Sequence, residues 1–426
     1  MARGSWYWAF LVANAATGAA SPLLPLFAHH LGGTAADVGV LSAVASLVGV
    51  AGSLAWGRLS DATARRRPFV LLSFVGLAVA YLSFPFLRSV GQLVVLNAAA
   101  TLVWMAGATV SVLIILGSFP KADWEREIGK FNAYSGLGWT GGLAMGAAWT
   151  SILVRTTGEE WGLRSLGLLI ALFAAVAAAV AAVKLREPPI RVERRTFRGL
   201  AVSVGNFLYE RFRYGPAHLY YVLKPSQVVR FMQGRTAFGP ELVLCYYGTL
   251  LAFVGFSMVF VPLPIFVRQQ LGWPSELVFV LYVAHHLISV LAFGWARRAV
   301  ARWGHRPAAA LALLGRTGIF SGLAVVGGAA AGWALPVLFG LAGVTWSFFQ
   351  LAATSMVSRL APEGLKGQGL GTYNAVAGLG NVLGALAGGY LADFVGFSGA
   401  FLCGAVLVLL ALPILLVEGT PVAREA

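Results

Sequence analysis

The chain has 426 residues, of which 58% are hydrophobic and only 11% are charged, and its mean hydropathy is +0.79. A soluble domain of this length could not cover its surface with so few charges, so lipid must be the solvent for most of the chain. The net charge of +15 does not indicate nucleic-acid binding, because the Lys and Arg residues are spread over alternate loops. Cys245 and Cys403 lie in apolar runs, so we expect no disulfide framework, metal site or cofactor.

Apolar runs long enough to cross a bilayer recur along the whole chain, since about 20 mainly apolar residues suffice for one helix. They are apolar on every face, whereas the strands of a β-barrel alternate in polarity. We therefore predict an all-α membrane protein with twelve transmembrane helices. The predicted spans are 5–29, 36–58, 68–87, 92–117, 129–154, 164–185, 241–267, 275–297, 307–329, 331–358, 366–392 and 397–417.

Basic residues mark one side of the predicted membrane. If the N-terminus is cytoplasmic, most of them fall in cytoplasmic loops, including Arg65, Arg66, Arg67 and the segment 184–235. The positive-inside rule then places both termini in the cytoplasm. We expect a monomeric, multi-pass protein of the plasma membrane.

The segment between the sixth and seventh spans is too polar to cross the membrane and too rich in Phe, Tyr and Leu for a disordered linker. Apolar residues recur in it at helical spacing beside basic ones, which predicts an amphipathic helix on the inner leaflet, with its cations near anionic lipids. The predicted domains are a six-helix bundle over 1–185, a cytoplasmic linker over 186–240 and a second bundle over 241–426.

An internal repeat relates the two halves. Residues 128–139 and 370–381 share the pattern Gly-x-x-Asn-Ala-x-x-Gly-Leu-Gly, and the same offset pairs Trp104 with Trp346. A unit of six helices has therefore been duplicated. Glycines four residues apart continue the repeat in both halves, and such stripes let helix backbones approach closely.

The loop after the second span reads Gly57-Arg-Leu-Ser-Asp61-Ala-Thr-Ala-Arg65-Arg66-Arg67, which resembles the signature Gly-x-Leu-x-Asp-x-x-Gly-Arg-Lys of the major facilitator superfamily. With the six-plus-six organisation and the long central loop, the resemblance covers essentially the whole chain. It implies two pseudo-symmetric six-helix bundles and a transporter, not an enzyme. It also implies that Gly57, Asp61, Arg65 and Arg66 form a gate that closes the cytoplasmic side against the eleventh span.

The same resemblance places a solute cavity near the bilayer midplane, between spans 1, 4, 7 and 10 and flanked by spans 2, 5, 8 and 11. For the tryptophans on these spans the alternative role is packing, and for Asn374 it is capping or interhelix hydrogen bonding. The candidates for solute contact are Asn14, Asn97, Trp104, Trp139, His285, His286, Trp346, Gln350, Asn374 and Asn381.

His285 and His286 are also candidates for ion coupling, because an ionisable side chain inside a membrane is costly and suggests function. Neighbours on a helix point about 100° apart, so we expect only one of them to face the cavity. The family arrangement places the ninth span at the periphery, where Arg316 would snorkel or pair structurally. Asp and Glu fall only in loops or near the ends of the predicted spans, which disfavours proton-coupled drug efflux.

The leading hypothesis is a secondary transporter that moves a small neutral or amphipathic organic solute by alternating access. Export of hydrophobic compounds is favoured over uptake of a sugar or another metabolite, because the candidate cavity residues are aromatic rings and amides. A lipid scramblase or a solute sensor is the alternative from another class. A membrane enzyme would need His, Asp or Cys clustered at one depth, and the sequence has no such cluster.

Overall fold

The computed structural model describes residues 5–63, 65–120, 123–187, 239–326, 331–362 and 366–417, so nearly all of the predicted linker lies outside the described residues. Within these ranges the structure has no strand, and twelve helical segments are long and apolar enough to cross a membrane. The helices are α1 (Tyr7–His30), α2 (Ala35–Thr63), α3 (Arg67–Leu82), α4 (Val90–Ser118), α5 (Trp124–Thr157), α6 (Glu159–Lys184), α7 (Pro240–Phe260), α8 (Leu263–Gln269), α9 (Ser275–Trp303), α10 (His305–Val325), α11 (Ala331–Leu360), α12 (Lys366–Phe394) and α13 (Phe397–Leu416).

Each of the twelve predicted spans corresponds to an observed helix, with the seventh span divided into α7 and α8. The division falls at Val261 and Pro262, where the chain turns before Pro264. Proline has no N–H group to continue the helical hydrogen bonds, which accounts for the interruption. The fold-class prediction of an all-α membrane protein is confirmed.

The first of two compact units contains the described residues of Met1–Leu208 together with Val267–Val283. In this unit α1 packs against α5 and α6, α3 packs against α4 and α6, and α2 packs against α4. Aromatic rings fill part of its core, where Phe10 lies 5.1 Å from Phe74 and 5.0 Å from Phe131 between ring centroids. Burial of these apolar surfaces between helices fixes the unit's internal arrangement.

The second unit contains the described residues of Tyr209–Phe266 and Ala284–Ala426. Here α7 packs against α12 and α13, and α10 packs against α11 and α13. The hydroxyl of Ser347 in α11 donates to the carbonyl oxygen of Ser289 in α9 at 2.7 Å. These helix pairs repeat those of the first unit six spans later, as expected for a duplicated bundle.

Repeat-related glycines make the same close helix contact in both units. A Cβ atom on Gly142 of α5 would overlap the backbone carbonyl of Ala15 in α1. A Cβ on Gly384 of α12 would overlap the backbone carbonyl of Val254 in α7. The prediction that the glycine stripes permit close approach of helix backbones is therefore confirmed at these positions.

Candidate solute site

A cavity of about 290 Å³ lies within the second unit. Residues of α7 spaced three or four apart form one wall, since that spacing puts side chains on one helix face. Four sequence-predicted candidates meet at this cavity, namely His285 and His286 from α9, Trp346 from α11 and Asn381 from α12. The other lining residues are Phe253, Phe256, Ser257, Phe260 and Arg316.

Arg316 of α10 lines the cavity although the family arrangement placed its span at the periphery. Its side chain is not at the lipid interface, because only 1% of the residue is exposed. Its Nη2 donates to the carbonyl oxygen of Ala342 at 2.8 Å, and its Nε donates to the hydroxyl of Thr345 at 3.2 Å. Of the two expected roles, snorkelling is wrong because the side chain is buried, whereas the bonds to α11 agree with structural pairing. The residue also lines the cavity, which was not expected.

Aromatic rings surround the guanidinium group of Arg316. The guanidinium carbon lies 4.6 Å from the ring centroid of Phe256, 5.1 Å from that of Phe260 and 5.8 Å from those of Phe320 and Trp346. The negative faces of such rings attract a cation, and the attraction grows where water is excluded. The rings partly stabilise the charge but provide no hydrogen-bond acceptor for it.

Both imidazole rings of α9 line the cavity, with their centroids 5.3 Å apart. The expectation that only one of them would face it was wrong, because the cavity extends across the helix face between the two side chains. Nδ1 of His285 lies 3.1 Å from the carbonyl oxygen of Phe339. Since a carbonyl oxygen only accepts, Nδ1 carries the proton in this contact, and Nε2 is the atom that can take up a second one.

One polar corner of the cavity joins α7 to α12. The hydroxyl of Ser257 donates to Oδ1 of Asn381 at 2.6 Å. The NH₂ group of Asn381 forms no hydrogen bond with any residue that the structure describes. The corner therefore offers a neutral donor in addition to the cation of Arg316.

The remaining six candidates do not line this cavity. Asn14 donates to the carbonyl oxygen of Phe10 in its own helix at 2.8 Å, and Asn97 donates to the carbonyl oxygen of Leu41 at 3.4 Å. The first bond lies within α1 and the second joins α4 to α2, so both amides are bonded to helix backbones in the observed conformation. Solute contact is still a prediction for all six, which are Asn14, Asn97, Trp104, Trp139, Gln350 and Asn374.

The predicted gate begins within the last turns of α2. A Cβ on Gly57 would lie 3.5 Å from Cγ2 of Thr109 in α4, which is an ordinary packing distance. Arg65 is exposed, and the side chain of Asp61 lies outside the described residues. Gating by this loop therefore stays a prediction from the family resemblance.

The end of the same loop is held by a carboxylate that the sequence reasoning did not single out. Glu187, after α6, accepts hydrogen bonds from the backbone N–H groups of Arg66 and Arg67, the latter at 2.9 Å. These N–H groups begin α3, where the helix dipole favours an anion. The guanidinium of Arg66 is buried and donates to the hydroxyl of Ser60, which fixes the loop against α2.

An ion pair lies at the opposite end of the first unit from this loop. Nη2 of Arg268 lies 2.8 Å from the carboxylate of Glu159, which also accepts from the hydroxyl of Ser275 at 2.5 Å. Nη1 of Arg268 donates to the carbonyl oxygen of Trp273 at 2.7 Å. Within the first unit, the network ties Arg268 and Ser275 to Glu159 at the start of α6.

The sequence matches the Major Facilitator Superfamily over residues 6–376 and 333–426. The chain belongs to that superfamily. It is therefore a transporter and not an enzyme, as predicted. No curated protein sequence matches the chain.

Solved structures with this superfamily's fold resemble the chain over nearly its full length. The nucleoside transporter NupG has a TM-score of 0.69 at 12% identity, covering 98% of this chain and 100% of its own. The human organic anion transporter MFSD10 (TETRAN) has a TM-score of 0.62 at 18% identity, with 97% and 99% covered. A POT family transporter solved with a thioalcohol-conjugated peptide has a TM-score of 0.71 at 13% identity, with 97% and 95% covered. At these identities the likeness shows the fold.

The aromatic face of the seventh span and Arg316 line this superfamily member's cavity, but neither was predicted from the sequence. Phe253, Phe256 and Phe260 were not chosen, although their spacing on the seventh span is helical and could have marked a single aromatic face. Arg316 could have been found by asking which cation within a span has no nearby acid in sequence. Both signals were present in the sequence.

Proposed function

We propose that this transporter carries a small amphipathic organic solute across the plasma membrane by alternating access, and that the solute binds in the cavity of the second unit. The observation that supports the proposal is an aromatic wall facing a few polar groups. Trp346 lies 6.1 Å from Phe253 and 6.3 Å from Phe256 between ring centroids, and the Ser257–Asn381 corner supplies polarity. Ligand sites commonly combine apolar walls with a few placed polar groups.

Export of a hydrophobic compound fits this lining better than uptake of a sugar. A sugar presents many hydroxyl groups, which are best matched by several amides and carboxylates. Among the residues that the structure describes, the cavity lining includes one amide and no carboxylate, whereas four of the nine are Phe or Trp. We place both termini in the cytoplasm, so an exported solute enters the cavity from the side of the α2–α3 loop.

Counterflow in proteoliposomes tests the proposal. Liposomes that contain the purified chain are loaded with one unlabelled solute and diluted into a trace of the same solute with a radioactive label. The probes are naphthalene-2-sulfonate, trimethyl-2-naphthylammonium and tryptophan, which share an aromatic body, and glucose. We expect transient accumulation of at least one aromatic probe, greater than that of glucose and absent from protein-free liposomes.

Three outcomes would contradict the proposal. Accumulation of glucose alone would identify a sugar facilitator. Movement of fluorescent phosphatidylcholine between leaflets, without exchange of any aromatic probe, would identify a lipid scramblase. Exchange of none of the probes and no lipid movement would also reject an aromatic amphipathic solute.

A further inference from the structure

The guanidinium of Arg316 is a buried positive charge that pairs with no carboxylate in the described part of the chain. No Asp or Glu among the described residues lies within ion-pair distance of it, and Nη1 forms no hydrogen bond with a described residue. An unpaired charge removed from water is destabilising unless another group compensates for it. The surrounding rings compensate only in part, since they accept no hydrogen bond at Nη1.

The fold itself does not require a cation at this place. Trp104 in α4 is the repeat mate of Trp346 in α11, and its partner from the third span is Phe74, with ring centroids 6.3 Å apart. Phe74 is completely buried in the first unit. A neutral ring therefore fills the corresponding position in the other bundle, and packing alone does not explain an arginine in the second.

Two polar groups of the cavity, the guanidinium of Arg316 and the NH₂ group of Asn381, have N–H donors that no described residue accepts. His285 donates from Nδ1 to Phe339, so its ring becomes a donor toward the cavity only when Nε2 is protonated. None of the described lining residues is a carboxylate. Such a set is complementary to a group that carries negative charge and several acceptor oxygens. A neutral amphipath would leave the charge of Arg316 uncompensated.

On the basis of the proposed function, we propose that the solute is an amphipathic organic anion whose carboxylate, sulfonate or phosphate group binds the free edge of the Arg316 guanidinium. The planar guanidinium presents paired donors that match two oxygens of such a group, which an ammonium does not. The hydrogen bonds to Ala342 and Thr345 hold Nε and Nη2 and so orient the remaining edge. Phe253, Phe256 and Phe260 then contact the apolar body of the solute.

Binding of two isosteric probes tests this assignment. Labelled naphthalene-2-sulfonate and the neutral naphthalene-2-sulfonamide are measured by equilibrium dialysis against the purified chain, with protein-free micelles subtracted. We expect the wild type to bind the sulfonate at least about tenfold more tightly than the sulfonamide. A hydrogen bond between charged groups strengthens binding by about that factor or more. In Arg316→Gln we expect the ratio of the two dissociation constants to approach one.

Two further variants separate loss of charge recognition from loss of the fold. Arg316→Lys keeps the charge without the planar donors, and we expect it to retain a reduced preference for the sulfonate. Phe253→Leu removes a cavity ring other than the four that surround the guanidinium of Arg316, and it should weaken both probes equally, leaving the ratio unchanged. An equal affinity for both probes in the wild type, or a preference that persists in Arg316→Gln, would overturn the anion site.

The result is distinguishable from failure of the proposed function. Counterflow of tryptophan or the naphthylammonium probe without that of the sulfonate would support an amphipathic transporter and overturn the anion site. Selective sulfonate binding that depends on Arg316, without counterflow of any probe, would support the anion site and reject the proposed transport of aromatic amphipathic solutes. Sulfonate binding that anionic phosphatidylglycerol displaces and phosphatidylcholine does not would indicate a lipid site and overturn the small-anion assignment.

Discussion

His285 and His286 place two titratable rings in the same cavity as a fixed positive charge. His285 packs on Phe260 with centroids 5.7 Å apart, and its Nδ1 is bonded to a backbone carbonyl, so a proton taken up there binds Nε2. No carboxylate among the described lining residues could serve the same purpose. If transport is coupled to protons through this cavity, the imidazoles are its carriers.

We expect an imposed pH gradient to change the steady-state accumulation of naphthalene-2-sulfonate by the wild type. The doubly substituted His285→Ala, His286→Ala chain should accumulate the probe equally with and without the gradient, because the two titratable side chains of the lining are gone. His30→Ala, at an exposed histidine outside the cavity, is the matched control and should behave like the wild type. Equal accumulation by the wild type with and without the gradient would contradict proton coupling.

Part of this site was predictable from the sequence. The rest was not, and the reason is physical. Trp346 and Asn381 occupy positions related by the repeat to Trp104 and Trp139, so the family arrangement selected them. Arg316 was not selected as a cavity residue because its place on the ninth span fixes its Cα but not the end of a long, flexible side chain. Only the packing of α10 against α11 determines that the guanidinium turns inward.

At the scale of helices, the end of a span is harder to predict than its existence. α9 continues to Trp303, six residues beyond the predicted end at 297, and includes Arg297, Arg298 and Arg302. Charged residues lower the local hydropathy and so end the predicted span, but the backbone hydrogen bonds of the helix continue past the bilayer. The apolar middle of each span was predictable because lipid requires it.

Helix pairing in the first unit depends on Gly142 and not on its neighbour. A Cβ on Gly142 would overlap the carbonyl of Ala15, whereas a Cβ on Gly141 would meet nothing within 4 Å. We expect Gly142→Ala to destabilise the unit by about 1–3 kcal/mol, the usual effect of overpacking. Gly141→Ala should be neutral or stabilising, by up to about 1 kcal/mol, because alanine is the better helix former.

The melting temperature of the purified variants in detergent measures this difference, and Gly384→Ala is the repeat-related test in the second unit. A Cβ on Gly384, like one on Gly142, would overlap a backbone carbonyl oxygen. A Cβ on Gly371 of the same helix would meet no atom within 4 Å, so Gly371→Ala is the control. Equal melting temperatures for Gly142→Ala and Gly141→Ala would show that the close backbone contact does not limit stability.

At the scale of the whole molecule, two bundles of one ancestry differ in their interior chemistry. The packing pairs of α1 and α3 recur for α7 and α10, but Phe74 lies against Trp104 in one bundle and Arg316 lies over Trp346 in the other. Duplication explains the shared helix arrangement, and specialisation of one bundle for a charged solute explains the difference. A single cavity in one bundle supports transport only if it is reached from both sides of the membrane.

Labelling of a cysteine in the cavity tests that requirement most directly. In a background where Cys245 and Cys403 are replaced by alanine and transport is retained, Ser257→Cys is exposed to a membrane-impermeant maleimide in intact cells and in inside-out vesicles. Ser89→Cys and Lys184→Cys, at exposed positions on opposite ends of the first unit, report the two sides separately. We predict labelling of Ser257→Cys from both sides and of each control from one side only, and labelling of Ser257→Cys from a single side would contradict alternating access.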